Sequence, residues 1–271
     1  MSAARKFVFL CDNMNFSGGR KLMLDYALHM KNSGLDVTVL TVQPEGPLAG
    51  MIDCVKVPDF SPGNIPACDV LTATSPKEAR AAALSGKAAK TVHFCQGYEI
   101  DDLEQRVRGE VLPPRYLKKN ILTMFELFRK KFAWRKKIRE IDGIYRLPTE
   151  LVTVSAHLKK RLEERYGRPV HLCRNGVSSE FFYPDPAWSP PHFSAAGVPM
   201  KILCAGPMEV SFKGIPFAMK AVRMLKDYGL PLKLIRVAPK FDAAERKDKT
   251  IDHFYEGIAP DEMGALMRSC D

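Results

Sequence analysis

Residues 6–42 read KFVFLCDNMNFSGGRKLMLDYALHMKNSGLDVTVLTV, and this stretch decides the fold. Lys6–Cys11 is a short apolar run that predicts a strand. Asp12–Gly19 is small and polar and predicts a loop. From Arg20 to Asn32, Leu22, Met23, Tyr26, Ala27 and Met30 recur at helical spacing. Gly34 ends that helix, and Asp36–Val42 alternates as a second strand. Strand, helix and strand with short connections make a parallel crossover unit, which needs helices on both faces of its sheet.

The same alternation continues outward. Strands are expected at Cys54–Val57, Val70–Ala73, Lys90–Phe94, Leu151–Val154 and Val170–Cys173. A helix at Pro76–Leu84 opens with Ser75 as its cap and Pro76 in its first turn, and another runs from Ser155 to Tyr166. Five prolines between Pro184 and Pro199 cannot be threaded by a regular element, so 184–200 is read as a linker. Beyond it, strands at Lys201–Ala205 and Leu232–Val237, a third candidate at His253–Tyr255, and helices at Ile215–Tyr228 and Pro260–Ser269 form a smaller second unit. A sheet unit of that size is marginal alone and reads as incomplete. The expected domains are therefore 1–183, a linker at 184–200, and a partial domain at 201–271.

The chain has 271 residues, 46% of them hydrophobic, which excludes a disordered or low-complexity protein. No apolar run reaches membrane-span length, and Phe7–Cys11 runs straight into Asp12 and Asn13 rather than into a cleavage region. The seven cysteines show no ligand spacing and read as reduced core thiols of a cytosolic protein. Formal net charge is +10, and the segment Arg115–Arg139 carries +9 of it. That segment is the longest helix candidate, with Leu117, Ile121, Met124, Phe125, Phe128 and Phe132 in one stripe. Leu127, Trp134 and Ile138 widen it on one side. If the stripe packs on the sheet, the basic face is simply solvated; otherwise the helix lies on an anionic bilayer, at the inner face of the membrane. No recognisable nucleic-acid module accompanies the charge, and no nucleic-acid partner is expected.

Three loops could carry chemistry. Asn13–Gly19 joins the first strand to its helix, and two adjacent glycines there let a backbone approach a ligand, although a tight turn explains them equally. It lacks the three-glycine dinucleotide fingerprint. Glu209–Gly214 places Lys213 beside Gly214 at a helix start, suited to a phosphate or merely solvated, and it lacks P-loop spacing. Thr91–Glu99 puts His93 near the carboxyl end of a strand, where ligands of open α/β sheets collect; His93 is either a hydrogen-bonding or basic group there or a core histidine. Glu99, Asp101 and Asp102 read as a carboxylate source, an acidic loop or a helix start. The remaining histidines show no metal-ligand spacing, and there is no G-x-S-x-G elbow.

Taken in order, these segments resemble the retaining glycosyltransferases of family 4. Ser17–Gly18–Gly19 precedes a helix, and Gly34–Leu40 stands where the family has "GHxVxVxT". Leu151–Ser155 precedes another helix. Arg174–Asn175–Gly176–Val177 with Phe182–Tyr183–Pro184 is similar to "PNGVDxxxFxP". Lys201–Gly206 with Lys213–Gly214 resembles "ILxVGRLxxxKG", and Glu256–Gly257 with Met263, Ala265 and Leu266 leads to Cys270–Asp271 in the "GxVxxEELxxLYxxAD" stretch. The Cys-Gln-Gly-Tyr-Glu run after His93 is similar to rhamnosyltransferase-like members.

The resemblance implies the α/β GT-B fold, two Rossmann-like domains with parallel sheets, here with the second incomplete. It implies transfer of a sugar, with retention, from a nucleotide diphosphate-sugar to a hydroxyl of a glycan or lipid-linked acceptor, with no metal and no added cofactor. On it, His93 is the catalytic histidine; Gly18, Gly19, Lys213 and Gly214 bind the donor phosphates; and Asn15, Tyr98, Glu99 and Asn175 are further donor or acceptor contacts. Two departures stand out: the family arginine of "GRL" is Pro207, and the paired-glutamate segment would follow residue 271. The chain is accordingly read as part of a longer transferase, with a non-catalytic or partner-completed sugar-nucleotide binding protein as the alternative.

Overall fold

The computed structural model describes residues 5–15, 17–110, 121–185, 198–208, 210 and 213–271. The chain divides into two compact units, Met1–Asn175 and Gly176–Asp271. The five residues 186–190, and with them most of the proposed linker up to 197, lie outside the described residues, while 176–185 belong with the second unit.

The first unit holds β1 (Lys6–Asn13), α1 (Gly18–Asn32), β2 (Asp36–Gln43), β3 (Cys54–Lys56), β4 (Cys68–Ala73), α2 (Pro76–Ser85), β5 (Ala88–Cys95), α3 (Glu99–Arg108), α4 (Ile121–Tyr145), β6 (Glu150–Thr153), α5 (Ala156–Tyr166) and β7 (Val170–Leu172). Its seven strands are all parallel, in the order β3-β2-β1-β4-β5-β6-β7. The chain winds outward from β1 to β3, then crosses back to β4 and winds the other way. The switch point therefore falls between β1 and β4. Strand β1 shows why the sheet is covered twice: Val8 and Leu10 enter a core with Leu40, Leu71 and Ala79, while Phe9 and Cys11 enter another with Met23, Leu24 and Ala27. Burying each Val, Leu, Phe or Met among them contributes about 1.5–3 kcal/mol.

Helix boundaries follow local chemistry. Ser17 Oγ accepts the Arg20 N–H at 3.2 Å and starts α1. Ser75 and Glu78 make a reciprocal capping box on α2, with Pro76 in its first turn. Ser155 caps α5 by accepting the Leu158 N–H. Helix α3 is polar, with Glu99, Asp101 and Asp102 in its first turn and Arg106 and Arg108 in its last, the charge order the helix dipole favours. Arg165 of α5 ties it down by bonding both Glu104 of α3 and Asp142 of α4, each at 2.9 Å.

The basic helix departs from the packing reading. Residues 115–120 lie outside the described ones, and α4 runs on to Tyr145. Its inward side is the edge formed by Leu127, Trp134 and Ile138, continuing to buried Ile141 and Tyr145. Met124, Phe125, Phe128 and Phe132, expected to face the sheet, are exposed. A helix turns about 100° per residue, so a stripe this wide cannot bury both edges against one neighbour.

The second unit holds β8 (Met200–Ala205), α6 (Ile215–Asp227), β9 (Leu232–Ala238), β10 (His253–Glu256) and α7 (Pro260–Arg268). The strands are parallel in the order β10-β9-β8. Ile215, Met219 and Val222 of α6 pack on Leu232 and Leu234; Leu266 of α7 packs on Ile235 and Val237 from the other face. Arg236 of β9 is 0% exposed. It donates to the carbonyls of Cys204 (2.7 Å) and Gly206 (2.9 Å) and pairs with Glu245 at 2.8 Å. Arg268 of α7 donates to the Phe181 carbonyl at 2.8 Å and lies over the Tyr183 ring, which holds 176–185 on this unit.

Candidate functional site

At the carboxyl edge of β1, β4 and β5 a cleft of about 200 Å³ opens at the switch point, the place where open α/β sheets take ligands. Ser17, Gly19 and Arg20 line it from α1, Ser75 and Glu78 from α2, and Gln96, Gly97 and Glu99 from the turn into α3. Three helices thus begin at one cleft. In α1 the N–H groups of Gly18 and Gly19 belong to the first turn, whose donors a helix leaves without internal partners. Ser17 has taken the Arg20 N–H, so the two glycine positions are left for an anion.

Gly19 is required by close approach. A Cβ there would sit 2.9 Å from Gln96 Oε1, and Gln96 Nε2 donates to the Gly19 carbonyl at 2.7 Å. A Cβ at Gly18 would meet nothing within 4 Å, so that side of the turn is open space.

Arg20 supplies a cation. Its Nη1 donates to the Asn15 carbonyl at 2.6 Å, and its Nη2 lies 3.2 Å from Asp12 Oδ1. Glu78, although buried, is consumed by the scaffold: its carboxylate accepts the N–H groups of Asp12 (2.9 Å) and Ser75 (3.0 Å). Glu99 sits at the rim and accepts the Tyr145 hydroxyl at 2.8 Å. Burial of its carboxyl raises its pKa above the usual glutamate value, opposed by hydrogen bonds from its own backbone N–H and from Tyr145. Cys11 also lines the cleft, but burial pushes its thiol up to about 12, so it is no nucleophile near neutral pH.

The structure brings Gly19 and Glu99 to this cleft, while Gly18, at the first position of α1, is not among its lining residues. His93 is elsewhere: it is 0% exposed, its ring lies 4.8 Å from that of Tyr145, and neither nitrogen has a hydrogen-bond partner among the described residues. A catalytic group must reach substrate, and His93 as placed does not. Tyr98 is also core, its hydroxyl 2.9 Å from that of Tyr166. Asn15 is exposed beside the cleft and offers Arg20 its carbonyl, while Asn175 is exposed at the end of the first unit. In the second unit Lys213 is exposed, with its stem across Gly206, and Gly214 caps α6 at φ +67°, a left-handed conformation that favours glycine. Glu209, Ser211 and Phe212 of that loop lie outside the described residues, as does Phe16 of the first loop.

Arg20 and Gln96 are cleft residues that were not singled out from the sequence as site residues. Arg20 is signalled only by its place in the first turn after Gly19. Gln96 becomes the edge residue because β5 runs to Cys95, one residue beyond the expected end. Among the described residues no group of three or more His, Cys, Asp or Glu side chains is placed to hold a metal ion.

His93 carries a testable consequence. Burial, with Arg168 as a smaller contribution, lowers its pKa to about 4. An unfolded histidine titrates near 6.5, so between these values the unfolded state binds the extra proton. Stability should fall by about 3 kcal/mol as pH drops from about 6.5 to 4. In His93→Phe this acid loss should be largely absent, with unfolding at neutral pH within about 1 kcal/mol of wild type because no hydrogen bond is broken. Urea titrations across pH check both; an unchanged acid loss in the variant would refute the assignment.

No protein-family model matches the chain, and no curated protein matches it in sequence. Solved structures do. Sucrose-phosphate synthase from Thermosynechococcus elongatus is 10% identical with a TM-score of 0.62, over 98% of this chain and 74% of that one. An α-glucosyltransferase solved in complex with UDP is 10% identical with a TM-score of 0.53, over 98% of this chain and 71% of that one. The fold is therefore the GT-B type, α/β with parallel Rossmann-like sheets.

Proposed function

We propose that this protein is a glycosyltransferase that moves a sugar from a nucleotide diphosphate-sugar to a hydroxyl acceptor, a glycan or a lipid-linked sugar, with retention at the anomeric carbon. The observation that carries this reading is the cleft at the switch point, where Ser17, Gly19 and Arg20 at the start of α1 line one wall. As the sugar departs, negative charge grows on the diphosphate, and fixed donors that meet it lower the barrier without reorganising. Gly18 and Gly19 are assigned as such donors, and in the second unit Lys213 beside Gly214 is assigned to phosphate binding. Glu99, at the rim with a raised pKa, is assigned to the acceptor hydroxyl. The UDP held by the α-glucosyltransferase neighbour supports a nucleotide diphosphate as the ligand class.

The burial of His93 favours a second reading, a sugar-nucleotide binding protein without turnover. Both readings are tested by thermal unfolding with UDP, GDP, ADP and dTDP, then by donor turnover with hydroxyl acceptors. One nucleotide should stabilise the native state, by about 2.7 kcal/mol at a hundredfold excess over Kd. Arg20→Ala should weaken that response, because it removes a cation that lines the cleft. No response to any nucleotide overturns the nucleotide-sugar reading; a response without turnover selects the second.

A further inference from the structure

Helix α4 exposes a face that neither the fold nor the cleft uses. Met124, Phe125, Phe128 and Phe132 are 65%, 63%, 70% and 62% exposed, three aromatic rings and a thioether within nine positions of one helix. A soluble surface does not normally gather such side chains, and a contiguous exposed apolar patch marks an interaction site. At about 100° per residue these four residues span one side of the helix. Arg135 and Arg139 continue the same side one and two turns later, and Arg129, Lys136 and Lys131 flank it. The inward edge of α4 is a different one, through Leu127, Trp134 and Ile138, so the aromatic face is left over after the helix has been anchored.

We propose that this face docks the protein on an anionic lipid bilayer, with the aromatic side chains entering the headgroup boundary and the flanking Arg and Lys residues on lipid phosphates. Charge chooses the occupant. A second copy of the same face would bring like-charged flanks together, and a nucleic-acid duplex would offer the phenyl rings no open base face to stack on. A bilayer carrying acidic headgroups satisfies both features. Among the described residues no helix is long and apolar enough to cross a membrane, and the proposed contact is made by one helix face. The inference is independent of what the cleft turns over.

Sedimentation with phosphatidylglycerol–phosphatidylcholine vesicles tests it, against pure phosphatidylcholine and at low and high salt, with no nucleotide present. The chain should pellet with the anionic vesicles at low salt, weaken at high salt, and bind neutral vesicles poorly. The variant Phe125→Ser/Phe128→Ser/Phe132→Ser should lose binding about tenfold or more while its circular dichroism stays unchanged. A single Phe128→Trp variant gives a readout that needs no triple substitution: its emission should shift blue on adding anionic vesicles. Absence of anionic-vesicle binding at low salt overturns the proposal, as do an unshifted Phe128→Trp, a triple variant that binds like wild type, or a dimer in solution that the triple variant dissolves.

Discussion

Replacing Arg236 by alanine is expected to destabilise the second unit by about 3–5 kcal/mol, a large part of the 5–15 kcal/mol that holds a typical domain. Arg236 lies in the middle strand of a three-stranded sheet, wholly buried, and its guanidinium reaches three acceptors: two carbonyls at the end of β8 and the carboxylate of Glu245. Truncation leaves two buried carbonyls without that donor and, worse, a buried carboxylate without its counter-ion. The loss of packing against the Phe241 ring adds to this. Removing both charges should be far milder, because a well-packed apolar pair carries no desolvation cost. Arg236→Leu/Glu245→Leu should therefore recover most of what Arg236→Ala loses. Urea unfolding followed by circular dichroism measures both; a loss below about 1 kcal/mol for Arg236→Ala would contradict the role assigned to the pair.

If the chain turns over a sugar donor as proposed, with Lys213 on its phosphates, Lys213→Ala should lower that turnover by about 10²–10³-fold, the usual effect of deleting one donor to a developing negative charge. The side chain is exposed, its stem lying over Gly206, so the substitution should cost the fold no more than about 1 kcal/mol. Lys213→Arg should restore part of the rate, since charge is kept while the shape of the cation changes. Turnover and melting temperature, measured together, separate loss of function from loss of structure. Near-normal turnover in Lys213→Ala would remove this lysine from the phosphate site.

Residues 6–42 made the parallel sheet legible because alternate residues of β1 feed two cores and because Gly34 marks the helix end. The start of α2 was equally open, since Ser75, Pro76 and Glu78 are local chemistry. Helix α3 was harder: only Ile100 and Leu103 of it join the core, and its ion pair Arg165–Glu104 is made 61 residues apart, invisible to periodicity. In α4 the pattern revealed an apolar stripe but not which edge would pack, a choice made by tertiary neighbours. The site was half legible. Gly18 and Gly19 fall where strand, loop and helix meet, but His93 was placed by proximity to a strand end alone. Side chains alternate along a strand, so His93 and Cys95 share the face that Tyr145 covers, and the first residue clear of the sheet is Gln96.

Glu78 has one more consequence. By joining the end of β1 to the start of α2 through backbone N–H groups, it fixes the floor of the cleft before any ligand arrives. On that side a ligand meets a preformed surface and spends little binding energy on ordering it. Preference among ligands must then come from shape rather than adaptation: a rigid mould discriminates by what fits, and cannot tighten around what does not.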